Sequence, residues 1–263
     1  MGRTDAGAVY VFVRSGGTWT QQAKIVAADG RSGDNFGARV SLSGDTLVIG
    51  APGSDPFGRS NAGAAYVYQR FGTTWYPSGK LVASDAAADD QLGFSVAVDG
   101  DNVVAGARSA DVGMRKDAGA AYVFSRRGMM WFQTAKLAAS DGAANDSFGV
   151  GVAISGDYVL VGSDFAEIAG KTDAGAAYVY QRGAMGYVQQ AKLVAADGAA
   201  VVDAGRLRLP VPIVAASDFL AVLVADPLDR LHRDRRPRQR APLHPSSSPV
   251  AVQQPLDATI AAR

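Results

Sequence analysis

The sequence predicts an all-β fold made of repeated four-stranded antiparallel units. The first observation is a strict repeat: the phrase that begins at Asp5 returns at Asn61, Asp117 and Asp173, each time 56 residues later. The second is composition, since 48% of the 263 residues are hydrophobic, 19% are charged and 31 are glycine, as in a turn-rich β protein. The third is turn chemistry, which divides each repeat into four short strand signals. Such self-similarity indicates a stacked or circular array of one supersecondary unit.

The strands of the first repeat lie between recognisable turns. The expected strands are, in order, Ala8–Arg14, Trp19–Ala28, Ala38–Leu42 and Thr46–Gly50. Their Val, Ile, Tyr, Phe and Trp content favours a pleated surface. The dipeptide Gly44-Asp45 between two apolar runs is typical of a two-residue hairpin. Four antiparallel strands per repeat is the pattern of a β-propeller blade, so no helix longer than about two turns is expected.

The chain divides into an array and a tail. We assign residues 1–200 to the array, with repeats at 5–60, 61–116, 117–172 and a partial one at 173–200. The array is expected to begin in the middle of a repeat, because residues 1–4 align with 169–172. An incomplete propeller exposes sheet faces that are normally buried. The chain is therefore interpreted as a fragment of a longer array, with association of copies as the alternative.

Residues 201–263 have a different composition. Lysine is absent there, while eight of the 11 prolines occur in it. Two interpretations stay open: a tail read out of frame, which we favour, and a divergent half-blade, because residues 217–227 faintly resemble residues 43–52. In both cases we expect disorder beyond about residue 230, where few apolar residues remain to offset chain entropy.

A pair of short motifs recurs in register. Phe36-Gly37 is followed by Gly50-Ala51-Pro52 in the first repeat. The second and third repeats carry the looser pairs Leu92-Gly93 with Gly106-Ala107-Arg108 and Phe148-Gly149 with Gly162-Ser163-Asp164. In these motifs the chain resembles the bacterial FG-GAP repeat proteins, which are related to the integrin α-subunit propeller. The resemblance covers residues 5–200 and implies part of a β-propeller on a secreted or cell-surface protein.

Several repeated positions are interpreted as structural. Small residues at Gly50, Gly106, Gly162, Ala51 and Ala107 fit the crowded region near a propeller axis. Large aromatics at Trp19, Trp75, Trp131 and Tyr187 are expected to wedge between neighbouring sheets, with ligand stacking as the alternative. A recurring Lys–Asp pair across a blade edge is expected because lysines stand five residues before aspartates, at Lys24/Asp29, Lys80/Asp85, Lys136/Asp141 and Lys192/Asp197.

No metal or cofactor site is predicted. Related repeats often carry a calcium loop between the two motifs, but here that interval holds only the tight Gly44-Asp45 turn, and calcium needs about six to eight oxygen ligands. Calcium binding is therefore disfavoured. The acidic groups assigned to polar turns are Asp29 with Asp34, Asp89 with Asp90, and Asn145 with Asp146. The remaining ion candidates are Asp55, Asp111 and Asp164.

The types of side chain in the array also argue against catalysis. There is no cysteine, and both histidines, His232 and His244, lie in the tail, so the array holds no Ser–His or Cys–His nucleophile. Glu167, the one glutamate of the chain, is expected to lie on a variable loop without a catalytic role. The basic run at residues 233–240 lacks interleaved aromatics, so nucleic-acid binding is not expected. No apolar run reaches the roughly 18 residues of a membrane span.

These features predict a non-catalytic binding or adhesion module that contacts a protein or glycan, in an extracellular or cell-surface location implied by the resemblance. The first alternative is a purely architectural array within a larger secreted protein. The second is an enzyme with a site at the propeller mouth. Further blades of the same array are also expected partners.

Overall fold

Fourteen β-strands in four antiparallel sheets form the fold that the computed structural model describes for residues 4–195. Sheet A holds two strands, β1 (Val9–Ser15) and β2 (Thr18–Ile25). The other sheets hold four strands each, in sequential order. Sheet B contains β3 (Val40–Ser43), β4 (Thr46–Ala51), β5 (Ala64–Phe71) and β6 (Thr74–Leu81). Sheet C contains β7 (Leu92–Asp99), β8 (Asn102–Ala107), β9 (Ala120–Arg127) and β10 (Met130–Leu137). Sheet D contains β11 (Val152–Ser155), β12 (Tyr158–Ser163), β13 (Ala176–Gly183) and β14 (Gly186–Leu193).

The all-β, blade-like prediction is confirmed, with one difference in how strands are grouped. Each four-stranded sheet takes its first two strands from one sequence repeat and its last two from the next, as sheet B does with β3–β4 and β5–β6. The strand bounds agree with expectation to within three residues. The helical element within residues 4–195 is a single 3₁₀ turn, Pro56–Gly58. No helix in this part of the chain has the length and apolar character that a membrane crossing requires.

Residues 4–195 all belong to one compact unit. The second unit, Pro227–Arg263, lies entirely outside the described residues. The predictions made for residues 201–263, namely an out-of-frame or half-blade origin and disorder near the end, therefore lie outside them as well.

The strands pair through the turns that the sequence indicated. Ser43 and Thr46 close the β3–β4 hairpin, and Gly44 between them has a φ of 56°, a conformation that a side chain would strain. We call the end of the sheets that carries this turn the hairpin end. Because the strands are antiparallel, the β5–β6 turn lies at the hairpin end too, whereas the segments after β4 and β6 lie at the opposite end.

The hydrophobic core consists of three clusters, and each lies between two successive sheets. Between sheets A and B the cluster includes Ile25, Phe36 and Tyr66. The B–C and C–D clusters are built in the same way around Tyr122 and Tyr178, neither of which is exposed at all. The sheets are thus stabilised by contact with their neighbours, as in repeat arrays generally.

Glycine makes the closest approach between sheets possible. A Cβ added at Gly50 of β4 would lie 2.0 Å from the carbonyl oxygen of Gly93 in the next sheet. A Cβ added at Gly106 of β8 would lie 2.0 Å from the carbonyl oxygen of Gly149. The glycine of one repeat's second motif therefore contacts the glycine of the next repeat's first motif. This contact confirms the crowding expected at these positions. The same close approach explains why both motifs contain glycine.

Candidate functional site

Each four-stranded sheet is joined to the sheet before it by a Lys–Asp ion pair, whose lysine also lies against a tyrosine ring. Lys80 Nζ lies 2.7 Å from Asp29 Oδ2, and Tyr66 Oη donates a hydrogen bond of 3.0 Å to Asp29 Oδ1. The ammonium also lies 5.0 Å from the centre of the Tyr66 ring, within cation–π range. The same Lys–Asp pairs recur as Lys136–Asp85 at 2.6 Å and Lys192–Asp141 at 2.7 Å.

The predicted Lys–Asp pairing is therefore present, but each lysine pairs with the aspartate of the preceding repeat, 51 residues earlier. Burial raises the pKa of the Asp29 carboxyl, and hydrogen bonds from Lys80 and Tyr66 outweigh that effect, so the net pKa is lowered. Burial also raises the pKa of Asp85 and of Asp141, and their paired lysines oppose that effect, so the net pKa of both is lowered. These carboxylates are held ionised by the neighbouring sheet, which is a structural role.

The large aromatics lie at the same sheet boundaries. Trp75 Nε1 donates to Gln22 Oε1 of sheet A at 3.1 Å, and Trp131 Nε1 donates to Ser78 Oγ of sheet B at 3.3 Å. Both rings are partly buried against the core, as is Tyr187. These contacts favour the wedge interpretation over ligand stacking. Trp19, in sheet A, is exposed.

Three loops at the end opposite the hairpin end differ in sequence from one repeat to the next. They comprise residues 52–63, 108–119 and 164–175, and we call them together the loop face. They have one length but different sequences, and they carry the exposed side chains of Phe57, Met114 and Glu167. Each loop is closed by a backbone bond, from Gly63 N to Ser54 O, Gly119 N to Ala110 O, and Gly175 N to Ala166 O. Variable side chains on a fixed frame are typical of binding loops.

Two of the ion candidates help to close these loops. Asp55 Oδ1 accepts the backbone N–H of Asn61, and Asp111 Oδ1 accepts that of Asp117, both at 2.8 Å. The third candidate, Asp164, lies three residues before the position equivalent to Asp55 and Asp111, which Glu167 occupies. The structure thus does not place the three candidates at equivalent positions. Among residues 4–195 no group of three or more acidic or histidine side chains is arranged to hold a metal ion.

The other acidic residues from the turns divide into two kinds. Asp34, Asp90 and Asp146 are buried, and each accepts a backbone N–H three residues earlier, at 2.7 to 2.8 Å. Burial raises the pKa of Asp90 and of Asp146, against the hydrogen bonds that stabilise their ionised forms. Asp89 is exposed and accepts a hydrogen bond of 3.0 Å from Asn61 Nδ2. The contacts of Asp34, Asp90 and Asp146 are the turn roles that the sequence indicated, whereas Asp89 contacts another loop and Asp29 joins two sheets.

The sequence did not single out Phe57 or Met114. Both occur in segments where the three repeats diverge, while the flanking strands stay nearly constant. A comparison of the repeats position by position would have marked this divergence. The loop face offers apolar, cationic and carboxylate groups for contact with a partner. The two histidines of the chain, His232 and His244, lie outside the described residues.

Comparison with known proteins gives one family. The family model described as FG-GAP repeat matches residues 19–68, 75–124 and 131–180, together more than half of the chain. No curated protein matches the chain. Among solved structures, the crystal structure of the N-terminal domain of Nup159 is similar at 9% sequence identity with a TM-score of 0.35. That match covers 66% of this chain and 39% of the Nup159 chain.

Proposed function

The chain belongs to the FG-GAP repeat family, and from this membership and the loop geometry we propose that it is a non-catalytic binding module whose loop face contacts a protein or glycan. The observation that carries the proposal is the loop face itself: three loops of equal length, closed by equivalent backbone bonds, with different side chains at their tips. We also propose an extracellular or cell-surface location, which rests on the family resemblance.

The exposed side chains suit contact with a partner. Phe57 is 80% exposed, with the Arg59 guanidinium 5.8 Å from its ring centre. Met114 is fully exposed in the next loop. Aromatic, arginine and methionine side chains are enriched where proteins bind partners, because they offer large contact area and adapt their shape. Two of the most exposed large side chains thus lie on loops that are closed by backbone hydrogen bonds.

A purely architectural array is the alternative. It is favoured by the repeated Lys–Asp–Tyr contact, which uses the most prominent charges of the repeat to join sheets. An enzyme is the weaker alternative, because Asp55 and Asp111 hold their own loops closed. The binding and architectural functions differ in one testable respect, since only the first depends on the loop side chains.

The test is direct binding of the purified chain to arrays of glycans and extracellular-matrix proteins. The loop variant Phe57→Ser/Met114→Ser should weaken binding to the selected ligand at least about tenfold, as expected for loss of apolar contacts at an interface centre. The matched control is Met185→Ser, because Met185 is as exposed as Met114 but lies at the hairpin end. Absence of binding to every probe, or equal affinity in both variants, would favour the architectural array.

A further inference from the structure

We propose that Arg39, Phe94 and Arg108 form a binding site for a carboxylate group at the base of the loop face. Arg39 precedes β3 of sheet B, Phe94 lies in β7 of sheet C, and Arg108 directly follows β8. We call this set the two-arginine site. All three residues lie at the end opposite the hairpin end, where Arg108 begins one of the three loops. The inference rests on the proposed function, because it names a chemical group that the loop face recognises.

The two-arginine site is formed at positions where the repeats differ. In the other repeats serine or glycine replaces Arg39, alanine or valine replaces Phe94, and proline or aspartate replaces Arg108. Within residues 4–195, Phe94 is the one aromatic ring that two arginines approach. Contacts that join sheets recur from repeat to repeat, as the Lys–Asp pairs do. A set of charged side chains that occurs once therefore indicates a role other than joining sheets.

Both guanidinium groups of the two-arginine site lie near the same ring. The guanidinium carbon of Arg108 is 3.9 Å from the centre of the Phe94 ring, and that of Arg39 is 5.8 Å from it. The two positive charges are therefore within about 10 Å of each other, which is about the Debye length at 0.1 M salt. Because like charges at this separation still repel each other, an anion that contacts both is favoured.

Hydrogen bonds fix both arginine side chains. Arg39 Nη1 donates to the carbonyl oxygen of Ala38 at 2.8 Å, and Arg108 Nε donates to Gln91 Oε1 at 3.0 Å. Within residues 4–195, Arg39 forms no ion pair, and a guanidinium carries five N–H groups. Arg39 thus has donors available to a ligand. Since the side chains are already held, the site loses little conformational freedom when it binds.

The position of Phe94 restricts the kind of ligand. Phe94 is half-buried and lies where the register between β7 and β8 shifts, between Leu92 and Ser95. Such irregularities often redirect a side chain beside a functional site. Because the Arg108 guanidinium already lies against the ring, the arginine N–H groups are what a ligand can contact. Paired N–H groups of arginine match the two oxygens of a carboxylate, which a sugar acid or an acidic side chain can carry.

NMR spectroscopy of the ¹⁵N-labelled full chain would test for carboxylate binding. Sodium glucuronate and the α-amide of N-acetylglutamate are the probes, one for a carboxylate on a sugar and one for a carboxylate on a peptide. At least one should shift the arginine side-chain N–H signals in a saturable way, with a dissociation constant of roughly 1–10 mM. The probe that binds more tightly identifies the source of the carboxylate. Sodium chloride at matched ionic strength should not produce this shift.

Substitutions would locate the binding site. Arg39→Ser and Phe94→Val introduce residues that other repeats carry at the same positions, so both variants should fold. Arg39→Ser and Arg108→Gln should each raise the dissociation constant about tenfold, and Phe94→Val about threefold. The matched control is Arg127→Ser, because Arg127 lies 5.9 Å from the Phe132 ring centre but at the hairpin end. This control should leave the affinity unchanged, and circular dichroism would verify folding.

The outcomes separate this inference from the proposed function. A wild-type chain that responds equally to chloride and to both probes would overturn the carboxylate site. Unchanged affinity in Arg39→Ser and Arg108→Gln would also overturn it. In either case the proposed function would stand if Phe57→Ser/Met114→Ser still weakened binding to the ligand selected from the arrays. Weaker carboxylate binding in the two arginine variants, with wild-type affinity in Arg127→Ser, would support the site.

Discussion

Replacing Gly106 with alanine should separate sheets C and D. Gly106 lies in β8 and has no positive φ, so its backbone conformation is open to alanine and the cost is purely steric. The new Cβ would lie 2.0 Å from the Gly149 carbonyl oxygen and 2.3 Å from Ser95 Oγ. Since Cβ contacts under 3.0 Å essentially never occur, the two sheets must move apart by about 1 Å.

The expected loss of stability combines two effects. Overpacking of a tight interior contact costs about 1–3 kcal/mol. Separating the sheets also strains the buried hydrogen bond that Ser95 Oγ donates to the Gly149 carbonyl oxygen at 2.7 Å, worth about 1 kcal/mol. Gly106→Ala should therefore lower the free energy of unfolding by about 2–4 kcal/mol, and the melting temperature by roughly 5–15 °C for a folded region of this size.

Urea unfolding followed by circular dichroism measures the effect. The control is Gly183→Ala, because Gly183 also has no positive φ and a Cβ there would meet only the Gly186 carbonyl oxygen, at 3.6 Å. That variant should change stability by less than about 1 kcal/mol, and in the stabilising direction. Ser95→Ala/Gly106→Ala should not recover stability, because the backbone oxygen remains. Equal stabilities for the Gly106 and Gly183 variants would refute the steric explanation of the glycine pair.

Three further predictions concern charges. Lys136→Met should lower the free energy of unfolding by about 0.5–1 kcal/mol in low salt, compared with Lys116→Met as control. The pKa of its partner Asp85 is lowered in the folded state, so the stabilisation by the ion pair is present above the unfolded-state pKa and is lost as pH falls through the folded-state pKa. Urea titrations at several pH values would measure this loss. Asp146→Asn keeps the carbonyl that accepts the Ala143 N–H. Since burial raises the pKa of Asp146, ionisation destabilises the wild type as pH rises, so the variant's advantage in melting temperature should be larger at pH 7 than near pH 4. Millimolar calcium should leave the melting temperature unchanged, and a rise that chelator reverses would reveal an ion site.

Much of the fold could be predicted from the repeat. The strand order, the hairpin at Gly44-Asp45 and the crowding at Gly50 and Gly106 all follow from turn residues and small residues that recur in register. These features depend on local backbone chemistry, which sequence displays directly. The wedge interpretation of the tryptophans also agrees with the contacts of Trp75 and Trp131.

The partners across each sheet boundary could not be predicted in the same way. Because the sequence has a fixed period, Lys80 and its equivalents in the next repeats each stand 51 residues after one aspartate and five residues before the next. The pattern alone therefore cannot decide whether Lys80 contacts Asp29 or Asp85. The decision is made by the grouping of strands, which assigns β5–β6 to the sheet that begins with β3. Lys80 on β6 then faces back toward the segment after β2, where Asp29 lies.

This grouping has a physical consequence for the whole array. Each repeat contributes two strands to one sheet and two to the next. Wherever one sequence repeat meets the next, the strands on either side of the junction are therefore hydrogen-bonded to each other within one sheet. Contacts between sheets are made by the Lys–Asp pairs and the interposed aromatics, and by short backbone contacts such as the bridges from Gly63 to Leu92 and from Gly119 to Phe148. A perturbation such as Gly106→Ala acts on the close approach between two sheets and leaves the ladders within each sheet intact. Unfolding of the array should therefore begin by separation of sheets, with strand pairing lost afterwards.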